Sequence, residues 1–259
     1  MHSQSFSIRD IAVALTAGRL AFRAMPGLSA AYTAVFAVIG VVLMIAVGVL
    51  NASPLVLPLA GGFLLVGPAF LSGFFELFRV LRSGTPPRAI DAFRGFAGAA
   101  AGVWAVAGFC AFLFLIWITD VGVLYAFMIG AEPLPYELPW LIKPSQEVVA
   151  FELWAAVMGA ILAFATFAVA AFSVPLLYER RVGPIEAISS SVRTVFANPV
   201  PSLTWGVVLA AATLLAILLP PLLLVVLPIL AYASFALYQR VFPSDDADAP
   251  RAPGDLEAS

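Results

Sequence analysis

Charged residues are scarce in this sequence. Over 259 residues, Asp, Glu, Lys and Arg make up 11% and hydrophobic residues 63%, and the mean hydropathy is +1.04. A soluble domain needs a polar exterior and is nearer half apolar. The composition therefore excludes a soluble globular fold and predicts a chain embedded in a membrane.

Histidine and cysteine are almost absent. His2 is the single histidine, and the single cysteine, Cys110, lies inside an apolar run. Haem held by paired histidines, His/Cys zinc sites and an intrachain disulfide are thereby excluded. The three serines at 189–191 have no histidine base, and the sequence contains no G-x-S-x-G, Walker A or G-x-G-x-x-G pattern. We therefore expect no enzymatic activity, no cofactor and no metal.

Six stretches are long and apolar enough to cross a bilayer. About 20 helical residues at 1.5 Å each span a hydrocarbon core of roughly 30 Å. Pro220-Pro221 divides the last apolar stretch, because consecutive prolines favour a tight hairpin over a continuous helix. We predict an all-α, polytopic membrane protein with six transmembrane helices near residues 29–50, 54–78, 98–120, 150–177, 200–218 and 221–239.

The positions of the basic residues orient these spans. With six spans, twelve of the thirteen Lys and Arg residues fall on one side of the membrane, and only Lys143 falls on the other. A five- or seven-span model would destroy this partition. The positive-inside rule then predicts cytoplasmic N- and C-termini.

Short amphipathic segments precede the first, third and fifth spans, at residues 7–25, 87–95 and 184–197. In the last of these, helical spacing predicts an apolar stripe of Ile185, Ile188, Val192 and Val195. We predict that the three segments lie on the cytoplasmic face. The chain then reads as three hairpins, each preceded by an amphipathic helix, within a single domain at 1–242. A disordered cytoplasmic tail follows at 243–259.

Two segments of the chain are locally similar. The segment "VGPAFLSGFFELFRV" at 66–80 parallels "VLPILAYASFALYQRV" at 226–241, which aligns Pro68 with Pro228 and Phe75 with Phe235. The match is consistent with an internal repeat of the hairpin unit, but common membrane residues in similar hydropathy would also produce it.

Charged residues at the ends of the spans are the first candidates for a functional site. Glu76 and Arg79 end the second span, and Glu179 and Arg180 end the fourth. Such clusters could ring a cytoplasmic vestibule. The competing interpretation is that they are interfacial stops that pair locally, Glu76 with Arg79 by i,i+3 spacing.

Further candidates lie inside or at the outer ends of the spans. Asp120 and Glu152 are carboxylates at the outer ends of spans three and four, where they could bind a proton or cation or simply face the boundary. Pro68 and Pro175 interrupt spans two and four. Broken helices expose backbone carbonyls at transporter sites, but prolines are also ordinary in membrane helices.

Two stretches of the chain resemble a known family. "PLVLPLAGGFLLVGPAFLSGFFELFRVLRSG" and "FAVAAFSVPLLYERRVGPIEAISSSVRTVFANPVPSLTWG" are similar to a bacterial family of integral membrane proteins that carries only a domain-of-unknown-function label. The resemblance runs from about residue 20 to 241, and it implies a bacterial inner membrane as the location. Some members carry labels likening them to cytochrome c oxidase subunit I. That activity does not transfer, because this chain lacks membrane histidines.

Two functions fit these observations. The first is a non-enzymatic accessory, scaffold or assembly protein of the inner membrane, indicated by few buried polar groups and many small residues. The second is a transporter or channel for a small apolar, amphipathic or lipid-like solute, which predicts a cavity near Pro58, Pro68 and Pro175. Expected partners are the lipid bilayer and a membrane-protein complex or second copy, and no nucleic acid.

Overall fold

The fold is entirely helical over the residues that the structure describes. The structure is a computed structural model, and the description covers residues 4–49, 56–128 and 146–243. No strand occurs within these ranges. The predicted tail from residue 244 onward lies outside them. The helices are α1 (Ile8–Ala24), α2 (Pro26–Val49), α3 (Val56–Arg82), α4 (Ala89–Ala97), α5 (Ala101–Met128), α6 (Gln146–Tyr178), α7 (Pro184–Ala197), α8 (Pro199–Leu218) and α9 (Pro220–Val241).

Four stretches of helix are long and apolar enough to cross a membrane. They are Ala101–Met128, Val149–Tyr178, Pro199–Ala216 and Pro221–Val241. They overlap the last four predicted spans, although the first continues to Met128, past the predicted end at residue 120. Helices α1 and α2, whose axes differ by 97°, add a fifth candidate if the bent pair crosses as one unit. The described part of the chain thus has four or five candidate spans, and the count of six stays a prediction.

The break between the last two spans lies where the sequence predicts it. Helix α8 ends at Leu218 and α9 begins at Pro220, so Leu219 alone separates them. Pro220 has no backbone N–H to donate, and its fixed φ suits the first position of a new helix. The Leu219 N–H closes the preceding helix by donating to the carbonyl of Leu215 at 3.0 Å.

Each short helix packs against a long one: α1 against α9, α4 against α3 and α7 against α6. Three contacts at successive positions along the two helices show that α7 runs antiparallel to the end of α6. Pro184 and Leu177 both lie beside Gly102, Ser191 bonds Ala168, and Phe196 meets Phe164 edge to face. Helix α6 has 33 residues, or about 50 Å, so the end covered by α7 exceeds what one bilayer crossing requires.

Helix α7 does not bury the stripe that its sequence predicts. It buries mostly small or polar side chains, namely Ala187, Ser190, Ser191, Thr194 and Val195. Ile185 is 86% exposed, and it lines an outward-facing apolar groove with Ile188, Val192 and Phe196. Apart from Val195, the residues of the predicted stripe are therefore not among the buried residues of α7. Small side chains let the α6 backbone approach closely, which bulky aliphatic residues would prevent.

The buried core lies where the ends of α3, α6 and α9 meet, and aromatic rings fill much of it. Phe75 of α3 stacks on Phe235 of α9 with ring centroids 4.7 Å apart. Phe74 meets Tyr232 edge to face at 5.6 Å. Such ring pairs contribute about 0.5–1.5 kcal/mol each beyond the area they bury. Phe75 and Phe235 are also aligned with each other in the similar segments at 66–80 and 226–241.

Glycines allow two of the short helices to touch their long partners. A Cβ added at Gly18 of α1 would collide with the carbonyl oxygen of Ile229 and lie 2.9 Å from the backbone nitrogen of Ala233. A Cβ added at Gly95 of α4 would lie 2.5 Å from the carbonyl oxygen of Ser72. Both crossings are therefore backbone-to-backbone contacts that any side chain would force apart.

Substituting Gly18 by alanine is expected to destabilise the protein. Overpacking of this kind costs about 1–3 kcal/mol, which exceeds the gain of about 1 kcal/mol from replacing a helical glycine. Gly27→Ala is the matched control, because nothing lies within 4 Å of the added Cβ. Thermal unfolding in detergent should show a lower Tm for Gly18→Ala than for Gly27→Ala. Equal Tm values would contradict the close α1–α9 crossing.

Candidate functional site

The structure brings together the four charged candidates at the ends of spans two and four. Glu76 and Arg79 lie on the last turns of α3, and Glu179 and Arg180 directly follow α6. Arg79 Nη2 donates to both carboxylate oxygens of Glu76 at 2.7 Å. The local i,i+3 pair predicted from sequence is therefore present.

Glu76 also joins two long helices. The Tyr178 hydroxyl, at the end of α6, donates to Glu76 Oε2 on α3. The Glu76 carboxylate thus accepts hydrogen bonds from a tyrosine on another helix and from an arginine on its own. Hydrogen bonds to an ionised group are stronger than neutral ones, so this contact fastens α6 to α3.

A similar contact joins α6 to α9. The Tyr238 hydroxyl donates to Glu179 Oε2 at 2.7 Å, and Arg181 Nε lies 3.6 Å from the same oxygen. Arg181 also donates to the carbonyl oxygens of Phe242 at 2.7 Å and Pro243 at 3.1 Å. The turn after α6 is therefore tied to the end of α9.

A third polar contact completes a circuit. Arg82 Nη1 of α3 donates to Gln239 Oε1 of α9 at 3.1 Å. Together, the Tyr178–Glu76, Tyr238–Glu179 and Arg82–Gln239 hydrogen bonds connect α3, α6 and α9 pairwise. We call these six residues the polar ring. It shows that the charged ends of three predicted spans lie at one end of the molecule.

Arg180 has an unusual backbone conformation. Its φ is +53°, in the left-handed region that favours glycine. The N–H of Arg180 donates to Leu177 O at 3.1 Å, and the N–H of Arg181 donates to Leu176 O at 3.2 Å. These two bonds form a Schellman cap at the end of α6. The Arg180 guanidinium reaches α4, where it donates to the carbonyl oxygen of Gly98 at 3.3 Å.

A pocket of about 510 Å³ lies beside this turn. Its walls come from the end of α3, the end of α4 and the residues that close α6. They are Glu76, Arg79, Arg94, Gly95, Gly98, Tyr178, Glu179, Arg180 and Arg181. The volume is in the range of small-molecule sites, roughly 300–1,000 Å³. The pocket therefore contains all four of the charged candidates predicted from sequence.

The other predicted candidates lie elsewhere. Asp120 on α5 is half-buried and Glu152 on α6 is exposed, and no hydrogen bond or ion pair joins them. Pro68 is half-buried in α3 and Pro175 is buried in α6, and neither lines the pocket at the charged end. Over residues 4–49, 56–128 and 146–243, no three His, Cys, Asp or Glu side chains are grouped as a metal would need.

Helix α1 is joined to the end of α9 by an ion pair. Asp10 of α1 accepts hydrogen bonds from the backbone N–H of Ser7 at 2.9 Å and the Ser7 hydroxyl at 2.7 Å. Arg240 Nη2 of α9 donates to the same carboxylate at 2.6 Å. The Ser7 hydroxyl, followed by Arg240, lowers the pKa of Asp10 to about 2, so the carboxylate is ionised at neutral pH.

Sequence reasoning missed one residue of the serine run. The Ser191 hydroxyl donates to Ala168 O at 2.7 Å and accepts from the N–H of Phe172 at 3.1 Å. These two backbone groups are i and i+4 in α6, so the hydroxyl is inserted into one turn of that helix. The sequence signal for this contact was the position of Ser191 on the face of α7 that carries small residues. Helical spacing alone could not show which helix that hydroxyl would bond.

Part of the chain matches a known family model. Residues 56–179 match a family described as predicted integral membrane protein (DUF2189), a domain of unknown function. The match confirms the resemblance over α3 to α6 and includes Glu76, Arg79, Tyr178 and Glu179, whereas Arg180 and Arg181 lie just beyond it. The match and the apolar helices together indicate an integral membrane protein, and the matched family has no assigned function. No curated protein and no solved structure matches the chain.

Replacing Ser191 by alanine is expected to destabilise the protein by about 1–3 kcal/mol, because a buried backbone N–H loses its partner. Ser189→Ala is the matched control. Its hydroxyl is exposed and bonds only Glu186 O of its own helix, so we expect a change within about 0.5 kcal/mol. Unfolding in detergent measures both. Equal stability of the two variants would contradict the prediction, because it would mean that the backbone groups of Ala168 and Phe172 do not need the Ser191 hydroxyl.

Proposed function

We propose that this protein is a non-enzymatic accessory or scaffold protein of the inner membrane, which packs against a membrane complex or assists its assembly. The polar ring is the observation that carries this proposal. Glu76 and Glu179 each accept a tyrosine hydroxyl and contact an arginine. Carboxylates used in this way hold helices together, whereas an acid or base in catalysis must be free to exchange protons.

The six-span topology is part of the same proposal. Helix α1 exposes Arg9, Arg19 and Arg23 and packs along α9, at 97° to α2. These features favour α1 as a peripheral helix and α2 as a separate span. The polar ring supports an up-and-down arrangement, because it gathers the ends of α3, α6 and α9 at one end. The excess of arginine there favours the cytoplasm.

Cysteine labelling tests the topology. In a Cys110→Ala background, a membrane-impermeant maleimide added to intact spheroplasts should label Asn51→Cys and Lys143→Cys. Ser83→Cys and Ser189→Cys should react only after the membrane is permeabilised. Labelling of both Asn51→Cys and Ser83→Cys in intact spheroplasts would show that α3 does not cross, and would reduce the count below six.

The exposed face of α2 is where we expect a protein neighbour. Val38 is 59% exposed and Ile39 49%, whereas Phe74 on α3 is fully buried. A photocrosslinking amino acid at position 38 or 39 should capture one membrane protein in stoichiometric yield in native membranes. The same amino acid at position 74 is the control and should capture none. Capture of lipid alone from positions 38 and 39 would count against the scaffold proposal.

Transport is the alternative, and the position of the pocket bears on it. The transporter hypothesis predicts a cavity near Pro58, Pro68 and Pro175. The side chain of Pro58 lies outside the part of the protein that the structure describes, and the pocket at the charged end involves neither Pro68 nor Pro175. Uptake of an amphipathic solute into vesicles containing only this protein, with no crosslinked partner, would favour transport instead.

A further inference from the structure

The pocket at the charged end carries excess positive charge. Four arginines and two glutamates line it. Both glutamates already contact arginine and tyrosine within the protein, so their negative charge is largely compensated. Arg94 is 72% exposed, and its Asp91 partner lies at 3.6 Å, a geometry worth little in water. The pocket therefore presents guanidinium groups to a ligand.

Arg180 is the strongest pointer to a ligand. Its position in the Schellman cap is one where glycine is normally preferred, because a side chain in the left-handed region is strained. The stabilising contact that its guanidinium makes is one exposed hydrogen bond to Gly98 O at 3.3 Å. Such a bond returns little stability. An arginine that weakens the turn yet faces a basic pocket is better explained by binding than by folding.

One wall of the pocket is formed by the end of α4. Gly95 and Gly98 form part of its wall, where α4 ends and the chain turns into α5. Tyr178 contributes an aromatic side chain whose hydroxyl is already engaged by Glu76. Planar guanidinium groups bind phosphate oxygens in bidentate fashion, which favours a phosphate over a compact halide ion.

We propose that this pocket binds the phosphate group of an anionic ligand, with Arg180 and Arg94 as principal contacts. The proposed topology places the pocket at the cytoplasmic boundary of the membrane, where the phosphate could belong to an anionic phospholipid or to a soluble phosphate ester. This inference does not depend on the scaffold role, because a ligand would bind whether or not a protein partner exists.

The experiment compares lipids that differ only in head group. Delipidated protein in detergent is titrated with dioleoylphosphatidylglycerol or dioleoylphosphatidylcholine, and native mass spectrometry measures binding. Glycerol 3-phosphate without lipid is the soluble arm. Arg180→Gly is the main variant, because glycine suits the backbone and should preserve or raise the Tm. Arg193→Gln is the control, since Arg193 is exposed on α7 outside the pocket.

We expect wild-type protein to prefer phosphatidylglycerol, and Arg180→Gly to bind it about fivefold more weakly, the effect typical of one arginine near a membrane surface. Adding Arg94→Gln should weaken binding further, while Arg193→Gln changes it less than twofold. If instead glycerol 3-phosphate binds and loses affinity in Arg180→Gly, the phosphate site stands and its source is soluble. Equal binding by wild type and Arg180→Gly in both arms would overturn the proposal, as would an equal loss in Arg193→Gln.

Discussion

The hydrogen bonds of the polar ring are the constraint on which the arrangement of the long helices depends. Charged side chains at the end of a membrane helix must be hydrated or paired, because isolated charges are costly to desolvate. Here the carboxylates of Glu76 and Glu179 accept hydrogen bonds from tyrosines on neighbouring helices. These bonds fix the positions of α3, α6 and α9 relative to one another along their axes. It also explains why the aromatic core lies at this end, since Tyr178 and Tyr238 contribute rings to it as well as hydroxyls.

Small residues hold the short helices against the long helices that the polar ring connects. Gly18, Gly95 and Ser191 each bring a short helix against a long one, and in each case the contact reaches the backbone of the long helix. Within a membrane, apolar side chains gain little by leaving lipid, so close backbone approach and hydrogen bonds must supply the preference. The short helices can therefore leave bulky residues such as Ile185 facing outward.

The helix positions could be predicted from the sequence, because hydropathy, proline and arginine act locally. The break at Pro220 and the Glu76–Arg79 pair needed only neighbouring residues. The partners of Tyr178, Tyr238 and Ser191 could not be predicted, because each bond joins residues far apart in the chain. The residues of α7 that pack against α6 could not be predicted either, because an apolar stripe normally indicates the protein side in water, but a membrane offers it a second apolar environment.

The contact between α1 and α9 has a consequence for biogenesis. The N–H of Gln4 donates to the carbonyl oxygen of Val241 at 2.9 Å, and Asp10 pairs with Arg240, so α1 docks on a helix that the ribosome makes much later. The contact between α1 and α9 therefore forms only after α9 has been synthesised. Until then α1 lacks its partner, and Glu179 lacks the Tyr238 hydroxyl. A chain truncated before α9 would therefore leave both α1 and Glu179 without these partners.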